Sequence, residues 1–514
     1  MLPETWEEIA AQTEQEKQDN TTILTDLRYS FLDPHIIETD KTNTSKQKSQ
    51  TFSLTTTVRY DDIQYYEMVR SLNEKQRPLF DFIYQWGVNT RLSDVPPSPF
   101  YILLSGGGGV GKTHLINTIY QGLIRALRTP GENPDLPTVI LTASTGKAAA
   151  NINGTTLHSA FALPVKQSES KNEYRKASPE KLNALRSSYS NLQVIIADEI
   201  SMFGAQSLNN LSLSLQDIFQ DFTHPFAHKS ILAVGDLLQL NPVGDYPVYK
   251  SPKSGYEALA GSLLTQYFQL HELTEIVRQQ GDPQFAQILS RLRVGSHTEQ
   301  DVLLLKQLEQ TSTESFPQHP THIVLTNEQA ATYNEEVLEQ FSNRVTVTAT
   351  DSKRDKSTNT VAISIQNNSL YQTGNLPKQI TLAENSTVMI TKNTDIADHL
   401  VNGTIGTVEQ IHIPHENPLS GTVFVKFQHD NIGYAAKQRS PSNLKHCVPI
   451  QAVTSSFYLA KECPVPVERK MFPLVLAFAI TSHKSQGSTY QYCIADLGKS
   501  AKMKHCLQDK HIQY

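Results

Sequence analysis

The sequence has few of the residues that build a cross-linked, metal-bound or membrane-embedded protein. Its 514 residues include only four cysteines, Cys447, Cys463, Cys493 and Cys506, and no two of them form a C-x-x-C pair. This spacing argues against a disulfide framework and against a cysteine-based zinc site, and it is typical of a reducing compartment. No apolar run is long enough to span a bilayer, so no membrane partner is expected.

The sequence also lacks an excess of basic residues. Its 45 Lys and Arg against 51 Asp and Glu give a net charge of −6. This balance excludes a generally basic nucleic-acid coat but leaves room for a local basic groove. The acidic N-terminus fits neither a signal peptide nor a transit peptide, so a nuclear or cytosolic location is the simplest expectation. The length predicts about three domains.

The strongest motif is the glycine-rich stretch S-G-G-G-G-V-G-K-T at Ser105–Thr113. It fits G-x-x-x-x-G-K-[ST] and lies between an apolar run, Phe100–Leu104, and a helical pattern. Backbone N–H groups of such a loop surround phosphates, and the helix dipole adds to the attraction. A glycine-rich turn that binds nothing is the alternative, which the combined strand, loop and helix disfavour. The residues predicted to bind the nucleotide are Gly106, Gly107, Gly108, Gly109, Val110, Gly111, Lys112 and Thr113.

Within this loop Lys112 is expected to reach the β- and γ-phosphates, and Thr113 is expected to ligate Mg²⁺. The apolar run Val194–Ala197 ends in two further carboxylates, Asp198 and Glu199. A β-branched run reads as a buried parallel strand, and α/β sheets bind ligands at the carboxyl ends of such strands. We therefore predict that Asp198 holds Mg²⁺ and that Glu199 activates water; a solvated turn is the alternative.

A third predicted strand, Ile231–Val234, is followed by Gln239, which is placed to sense the γ-phosphate. One predicted strand leads into the phosphate loop, the second ends in an Asp-Glu pair and the third is followed by an aspartate. Together with the helical patterns between them, these strands predict a doubly wound parallel sheet of the α/β class. A weaker signal lies upstream at Gln76, whose amide could contact an adenine ring. Helix capping by Asn73 explains that stretch at least as well.

Hydroxyls, a lysine and a histidine follow the predicted strand Val139–Thr142. They include Thr145, Lys147 and His158. Such side chains suit contacts to a DNA backbone, although an ordinary surface loop explains them equally well. The second half repeats the α/β alternation without a second phosphate loop, which suggests a motor with ATP in the cleft. Arg278 is then the candidate arginine finger, and a surface charge at a helix end is the alternative.

Composition predicts the boundaries of these parts. Residues 1–60 are polar and read as a disordered arm, and residues 166–190 read as a small polar insertion. Short strand patterns such as Gly421–Phe427 predict an all-β insertion in the second half, after which the core sheet is expected to resume as a strand at Leu474–Ile480.

Taken in order, these motifs resemble the Pif (petite integration frequency) family of superfamily-one helicases, related to RecD and found in Helitron-type transposons. The resemblance implies two RecA-like domains. The first, 61–270, would carry a wedge insertion at about 162–190, and the second, 271–514, an SH3-like insertion at about 403–471. The matching stretches are Leu72–Gln76, Gly106–Thr113, Ala143–Ala150, Gly154–Phe161, Asp198–Met202, Gly235–Val243, Leu273–Gln279, Val401–Val408 and Ala477–Gly487.

The resemblance implies ATP- and Mg²⁺-dependent unwinding of duplex DNA with 5′→3′ movement on single-stranded DNA, in repair, recombination and telomere maintenance. It implies a nuclear location and is compatible with a mitochondrial one. By position it makes Gln76 the adenine contact, Gln239 the coupling glutamine and Arg278 the first arginine finger. Gln486 and Gly487 join the nucleotide site. The residues that it places near DNA are Thr145, Lys147, His158, Ser482 and His483.

One departure from the family pattern concerns the end of the chain. After Gly498 the family continues into a motif whose arginine contacts the γ-phosphate, whereas this chain reads Lys499–Tyr514 without it. Loss of such an arginine costs on the order of a thousandfold in rate. A truncated, hydrolysis-impaired remnant that binds ATP and DNA is therefore the alternative to an active helicase. A phosphate-loop kinase is a third alternative, which Gln239 and the Ser482–Gly487 stretch disfavour.

Overall fold

The computed structural model describes residues 59–129, 131, 133, 135–163, 174–242, 244–252, 261–275, 283–309, 320–354, 360–363, 373–457, 467–488, 490 and 492–496. Almost all of the predicted polar arm 1–60 lies outside the described residues, as do Arg278 and everything after Asp496. Within the described part of the chain, no helix combines the length and apolarity that crossing a membrane requires.

Local signals in the sequence explain where the first helices begin and end. Asp61 caps the first helix by accepting a hydrogen bond from the Gln64 N–H, and Pro78 stands in the first turn of the second, where its missing N–H is harmless. The helices are Asp62–Arg70, Arg77–Leu92, Lys112–Ala126, Gly146–Asn151, Leu157–Ala160, Pro179–Ser188, Ala205–Phe219, Leu263–Tyr267, Pro283–Arg293, Glu299–Glu309, Asn327–Leu338, Tyr434–Lys437 and Ser482–Ser485.

The first half is built on a six-stranded sheet with the order β3-β2-β4-β5-β1-β6. Every neighbouring pair in it is parallel. Apolar runs form its central strands, which are buried as a parallel sheet with helices on its faces requires. The strands are β1 (Tyr101–Gly106), β2 (Val139–Ala143), β3 (Thr155–Thr156), β4 (Val194–Asp198), β5 (Ser230–Gly235) and β6 (Gln269–Leu273).

This order places the key strand ends together. β1 lies beside β5, and β5 lies beside β4. Since all three run in the same direction, the phosphate loop after β1, Asp198 at the end of β4 and Asp236 just after β5 share one edge of the sheet.

The second half combines parallel and antiparallel sheets. Its strands are β7 (Thr321–Val324), β8 (Val345–Thr348), β9 (Thr350–Arg354), β10 (Thr360–Ile363), β11 (Gln379–Leu382), β12 (Thr387–Ile390), β13 (Ile405–His412), β14 (Thr422–Phe427), β15 (Val448–Gln451), β16 (Val453–Phe457), β17 (Val467–Met471), β18 (Leu474–Leu476), β19 (Ala479–Thr481) and β20 (Cys493–Ala495). A parallel sheet has the order β19-β7-β20, and an antiparallel one has the order β15-β14-β13-β12-β18. The predicted α/β fold class is thereby confirmed.

The prediction of a single core strand over Leu474–Ile480 is wrong. β18 pairs antiparallel with β12, whereas β19 pairs parallel with β7. Between them Ala477 and Phe478 are buried, and their backbones bond to Thr387 and His322 in the two different sheets. The apolar pattern is continuous because both strands are buried, so periodicity alone does not reveal that the chain passes from one sheet to another. The strands of the antiparallel sheet lie between Thr387 and Leu476, and the SH3-like insertion at about 403–471 stays a prediction.

A buried ion pair links β9 and β17. Arg469 is fully buried, and its Nε and one terminal nitrogen donate to the two carboxylate oxygens of Asp351 at 2.7 and 2.8 Å. We expect Arg469→Ala to lower the free energy of unfolding by about 3–5 kcal/mol, because it leaves a buried carboxylate unpaired. Urea denaturation measures this, with the exposed neighbour Lys470→Ala as the control. Equal stability of the two variants would contradict the expectation.

Candidate nucleotide site and DNA-contact residues

The phosphate loop lies between β1 and the helix Lys112–Ala126, as predicted. Gly111 precedes this helix with a φ of 83°, a left-handed conformation that glycine adopts without a steric cost. A Cβ at this position would also lie only 2.6 Å from Gln76 Nε2. Only glycine therefore fits position 111. The contacts of this chain thus explain why the motif has glycine directly before its lysine.

Lys112 is folded back onto the loop. Its Nζ donates to the carbonyl oxygens of Gly106 and Gly107 at 2.7 and 2.9 Å. Burial lowers the pKa of Lys112, while the nearby carboxylates of Glu199 and Asp236 oppose that shift. The ammonium is thus held at the mouth of the loop, where phosphate oxygens can replace the two carbonyls as its acceptors.

Gln76 and Asn73 perform complementary roles beside this loop. The Asn73 side chain accepts hydrogen bonds from the backbone N–H groups of Lys75 and Gln76 at 3.2 and 2.9 Å, so it caps the turn before the helix Arg77–Leu92. Gln76 itself is buried and donates from Nε2 to the Val110 carbonyl at 3.2 Å. The capping interpretation and a position of Gln76 at the nucleotide site are therefore compatible, and contact with adenine stays a prediction.

The carboxylates predicted at the end of β4 lie close to Lys112. Asp198 Oδ1 accepts from the Glu199 N–H at 2.8 Å, and the Ser144 hydroxyl donates to the Glu199 carbonyl at 2.7 Å. Glu199 has a left-handed backbone, with a φ of 52°. Local hydrogen bonds on both sides thus hold this turn.

Burial raises the pKa values of the two carboxylates above those of solvated groups. Burial raises the pKa of Asp198. Burial, and then repulsion from Asp198, raises the pKa of Glu199 to about 7. Within the described part of the chain, Glu199 Oε2 is buried without a hydrogen-bond partner. A buried acceptor without a partner is costly, and such atoms typically mark sites that bind water, an ion or a substrate.

Gln239 joins the two halves of the chain at this edge. It follows β5 and donates from Nε2 to Asp236 Oδ2 at 3.3 Å. Gln486, which directly follows the helix Ser482–Ser485, donates from its own Nε2 to Gln239 Oε1 at 2.9 Å. Gln486 Oε1 is buried and lacks a partner among the described residues. The next residue, Gly487, has a left-handed φ of 70°. The predicted residues Gln486 and Gly487 are therefore brought to the site.

Arg278 lies outside the described residues, but a different arginine reaches the phosphate loop. Arg293 pairs with the carboxylate of Asp236, donating from Nε and from a terminal nitrogen. The other terminal nitrogen lies 3.5 Å from the position of a Cβ built on Gly107. The side chain of Arg293 is 27% exposed, whereas that of Asp236 is 2% exposed. A guanidinium therefore lies beside the predicted phosphate loop.

Sequence reasoning missed Arg293 for a physical reason. It stands in the last turn of the helix Pro283–Arg293, where a basic residue is already favoured by the helix dipole. The pattern therefore offered no sign that this side chain reaches a loop almost two hundred residues earlier.

The predicted DNA-contact residues follow the ends of three strands. Thr145 follows β2 and caps the helix Gly146–Asn151 by accepting from the Ala148 N–H at 3.2 Å. His158 follows β3 and packs edge-on against the Phe203 ring at 5.7 Å between centroids, and burial lowers its pKa. Ser482 and His483 follow β19, and His483 is exposed. Contact with DNA stays a prediction for all four.

Lys147 has protein partners in the other half of the chain. Its Nζ donates to the Ser488 hydroxyl at 2.5 Å and to the Gly403 carbonyl at 3.5 Å. Burial lowers the pKa of this lysine. The side chain thus links the loop after β2 to the segment that carries Gln486, and a contact of Lys147 with DNA stays a prediction.

Comparison with known proteins bears on these observations. The model of the family described as PIF1-like helicase matches residues 71–302. The ATP-dependent DNA helicase PIF1 of Emericella nidulans is 26% identical over 77% of this chain and 55% of its own length. The corresponding helicase PIF7 of Trypanosoma brucei brucei is 26% identical over 83% and 43%. This chain therefore spans about half the length of these two relatives. Pif1 of Bdellovibrio bacteriovorus is 28% identical over 77% of this chain and 78% of its own length.

Solved structures show the same fold. The crystal structure of Pif1 helicase from Candida albicans covers 83% of this chain and 88% of its own, with 22% identity and a TM-score of 0.59. The structure of Pif1 helicase from Bacteroides in complex with ADP-AlF3 and single-stranded DNA covers 84% and 87%, with 22% identity and a TM-score of 0.57.

Proposed function

We propose that this chain, whose residues 71–302 match the model of the PIF1-like helicase family, is an ATP-dependent DNA helicase that moves 5′→3′ along single-stranded DNA and separates duplexes. The observation that carries this proposal is the hydrogen bond between Gln239 and Gln486. It joins the half with the phosphate loop to the half without one, at the edge of the sheet where nucleotide would bind. A motor needs such a contact, because ATP turnover can move the two halves only if both halves contact the nucleotide site.

Nucleotide binding rests on the loop and its neighbours. The backbone N–H groups of Gly106–Gly111 would surround the phosphates, and Lys112 would exchange two loop carbonyls for phosphate oxygens. Gln76, which donates to the Val110 carbonyl of the loop, would contact the adenine ring through its amide. These groups act on phosphates and base, so ATP is the cofactor that they fit.

The same site fits Mg²⁺. Asp198 is a buried carboxylate, and the neighbouring Glu199 Oε2 is a buried acceptor without a partner within the described ranges; oxygen donors of this kind are what Mg²⁺ prefers. Thr113 and Asp198 would hold the ion. Bound there, Mg²⁺ would neutralise phosphate charge. Glu199 would orient the attacking water and accept its proton.

Arg293 and Gln239 would report the γ-phosphate to the rest of the molecule. Without phosphate, the Arg293 guanidinium is paired with Asp236, to which Gln239 also donates. A γ-phosphate over Gly107 offers Arg293 a second acceptor of higher charge. Because Arg293 and Gln239 both donate to Asp236, movement of Arg293 would change the hydrogen bond between Gln239 and Asp236. Since Gln239 also bonds to Gln486, this change would shift the position of the other half.

DNA would lie across the carboxyl ends of the strands in both halves, near Thr145, His158, Ser482 and His483. Closure of the two halves around ATP would bring these groups along the strand together. Nuclear roles in repair, recombination or telomere maintenance fit such a motor, and single-stranded and duplex DNA are its proposed partners.

Arg293→Ala is expected to lower kcat for ATP hydrolysis roughly tenfold to a hundredfold, because it removes preorganised donors from the developing charge on phosphate. Arg291→Ala is the matched control. Arg291 lies on the same helix, but its guanidinium is paired with Asp301 at 2.6 and 2.7 Å rather than with the loop side of the helix. Steady-state ATPase assays compare the two. Equal losses of kcat in both variants would assign the effect to helix stability instead.

Strand separation tests the proposed function directly. A duplex with a single-stranded 5′ tail, and the same duplex with a 3′ tail, are mixed with the protein, ATP and Mg²⁺. We expect separation of the 5′-tailed duplex only. Separation of the 3′-tailed duplex would reverse the proposed direction, and binding of ATP and DNA without separation of either would contradict the helicase proposal.

A further inference from the structure

A cluster of three potential metal ligands lies far from the nucleotide edge. Asp221, His224 and His228 stand on the turn between the helix Ala205–Phe219 and β5, and one ligand atom from each lies within 4.8 Å of the other two. This turn leads into the amino end of β5, whereas the phosphate loop and Asp236 lie at the carboxyl ends of the strands. The cluster therefore belongs to the opposite edge of the sheet and has no part in the proposed ATP chemistry.

The backbone of the turn is unusual and fixed at its centre. Phe226, Ala227 and His228 have consecutive left-handed φ values of 57°, 50° and 55°, which residues with a side chain adopt only when their surroundings hold them there. Phe226 is fully buried, and its N–H donates to the Ser212 hydroxyl at 3.2 Å. The buried ring thus anchors a strained turn that carries His228 at its end.

Thr223 orients two of the three side chains. Asp221 Oδ1 accepts from the Thr223 N–H at 3.0 Å and from its hydroxyl at 2.6 Å, while the same hydroxyl contacts His224 Nδ1 at 3.0 Å. The other oxygen of Asp221 faces His228 Nδ1. Neighbours of this kind typically hold metal ligands in position.

The two imidazoles lie side by side, with ring centroids 3.7 Å apart. Together with the Asp221 carboxylate they bring two nitrogen donors and one oxygen donor within 4.8 Å of one another. We propose that Asp221, His224 and His228 form a binding site for a divalent transition-metal ion of the Zn²⁺, Co²⁺ or Ni²⁺ class.

The donor set decides this class. Imidazole nitrogen suits Zn²⁺, Co²⁺ and Ni²⁺, whereas Mg²⁺ and Ca²⁺ require oxygen ligands. Three protein ligands leave further coordination positions to water. The site would tie the strained turn to the end of the helix Ala205–Phe219. An ordinary ion pair between protonated His228 and Asp221 is the competing arrangement, and it requires no metal.

Metal titration of the full chain separates these arrangements. The protein is stripped with a chelator, exchanged into buffer and titrated with Co²⁺, whose visible absorption reports nitrogen ligands, and with Zn²⁺ against a chromophoric competitor. We expect one bound equivalent that is weakened at least about tenfold in Asp221→Asn and in His224→Ala. Asp221→Asn keeps the side-chain shape, so its unfolding temperature without metal should match that of the unchanged chain.

Two controls make the test decisive. Glu409, His446 and Cys447 form a second group of potential ligands, so His446→Ala removes that group alone. His429→Ala removes an exposed histidine outside both groups. Binding that is lost in Asp221→Asn and His224→Ala but kept in both controls supports the proposal. Binding that is lost in His446→Ala, or unchanged in Asp221→Asn, overturns it.

Discussion

Replacing Lys112 with alanine is expected to abolish measurable ATP hydrolysis. Lys112 is the ammonium that lies over the loop, bonded to the carbonyls of Gly106 and Gly107. Without it, the phosphates lose a charge-assisted donor in a site that already contains the carboxylates of Asp198, Glu199 and Asp236. Charge-assisted bonds are about twice as strong as neutral ones, and removal of even one neutral donor at such a site costs on the order of a hundredfold to a thousandfold.

The same variant should also bind ATP more weakly, because the carboxylates of Asp198 and Glu199 then face the nucleotide without the ammonium that lies beside them. Steady-state ATPase assays and titration with a fluorescent ATP analogue measure both effects. Lys306→Ala, an exposed lysine on the helix Glu299–Glu309, is the control and should behave like the unchanged chain. Hydrolysis by Lys112→Ala at the unchanged rate would remove the basis for placing ATP at this loop.

Replacing Glu199 with glutamine is expected to leave ATP binding intact and to lower kcat by about a hundredfold to ten-thousandfold, the range for loss of a general base. The amide has the same shape as the carboxylate. The main chain of Glu199 is held by hydrogen bonds to the side chains of Asp198 and Ser144. The substitution leaves these bonds in place. Loss of activity in this variant therefore reports chemistry rather than unfolding.

A separate pair of measurements distinguishes this effect from that of Lys112→Ala. For Glu199→Gln, the affinity for the ATP analogue should match that of the unchanged chain while single-turnover hydrolysis becomes slow. Glu416→Gln, which neutralises an exposed acidic side chain, should leave both unchanged. Turnover at the normal rate by Glu199→Gln would show that another group accepts the proton.

The parts of the site that the sequence predicted are those encoded by local patterns. The phosphate loop at Gly106–Thr113 and the carboxylates at the end of β4 follow apolar runs whose strand character is strong. The strand order then brings them to one edge without further information. The local pattern does not settle the position of Gln76. Its neighbour Asn73 caps the turn, and Gln76 itself contacts a loop over thirty residues away in the chain.

What could not be predicted depends on contacts between distant segments. Arg293 looks like an ordinary basic residue at a helix end until the fold places it over Gly107. The bond from Lys147 to Ser488, which links the two halves of the chain, has no counterpart in any local pattern. The Leu474–Ile480 run reads as one strand because burial in two sheets produces the same apolar pattern as burial in one. In each case the deciding partner is far away in the chain.

ATP hydrolysis by the 514-residue chain, with and without single-stranded DNA, tests the central claim most directly. The claim is that one nucleotide site couples both halves to a DNA strand, through Gln239 and Gln486 at the phosphate edge. The account predicts turnover that single-stranded DNA stimulates strongly and that Gln239→Ala uncouples from DNA. Turnover that is the same with and without DNA would contradict it.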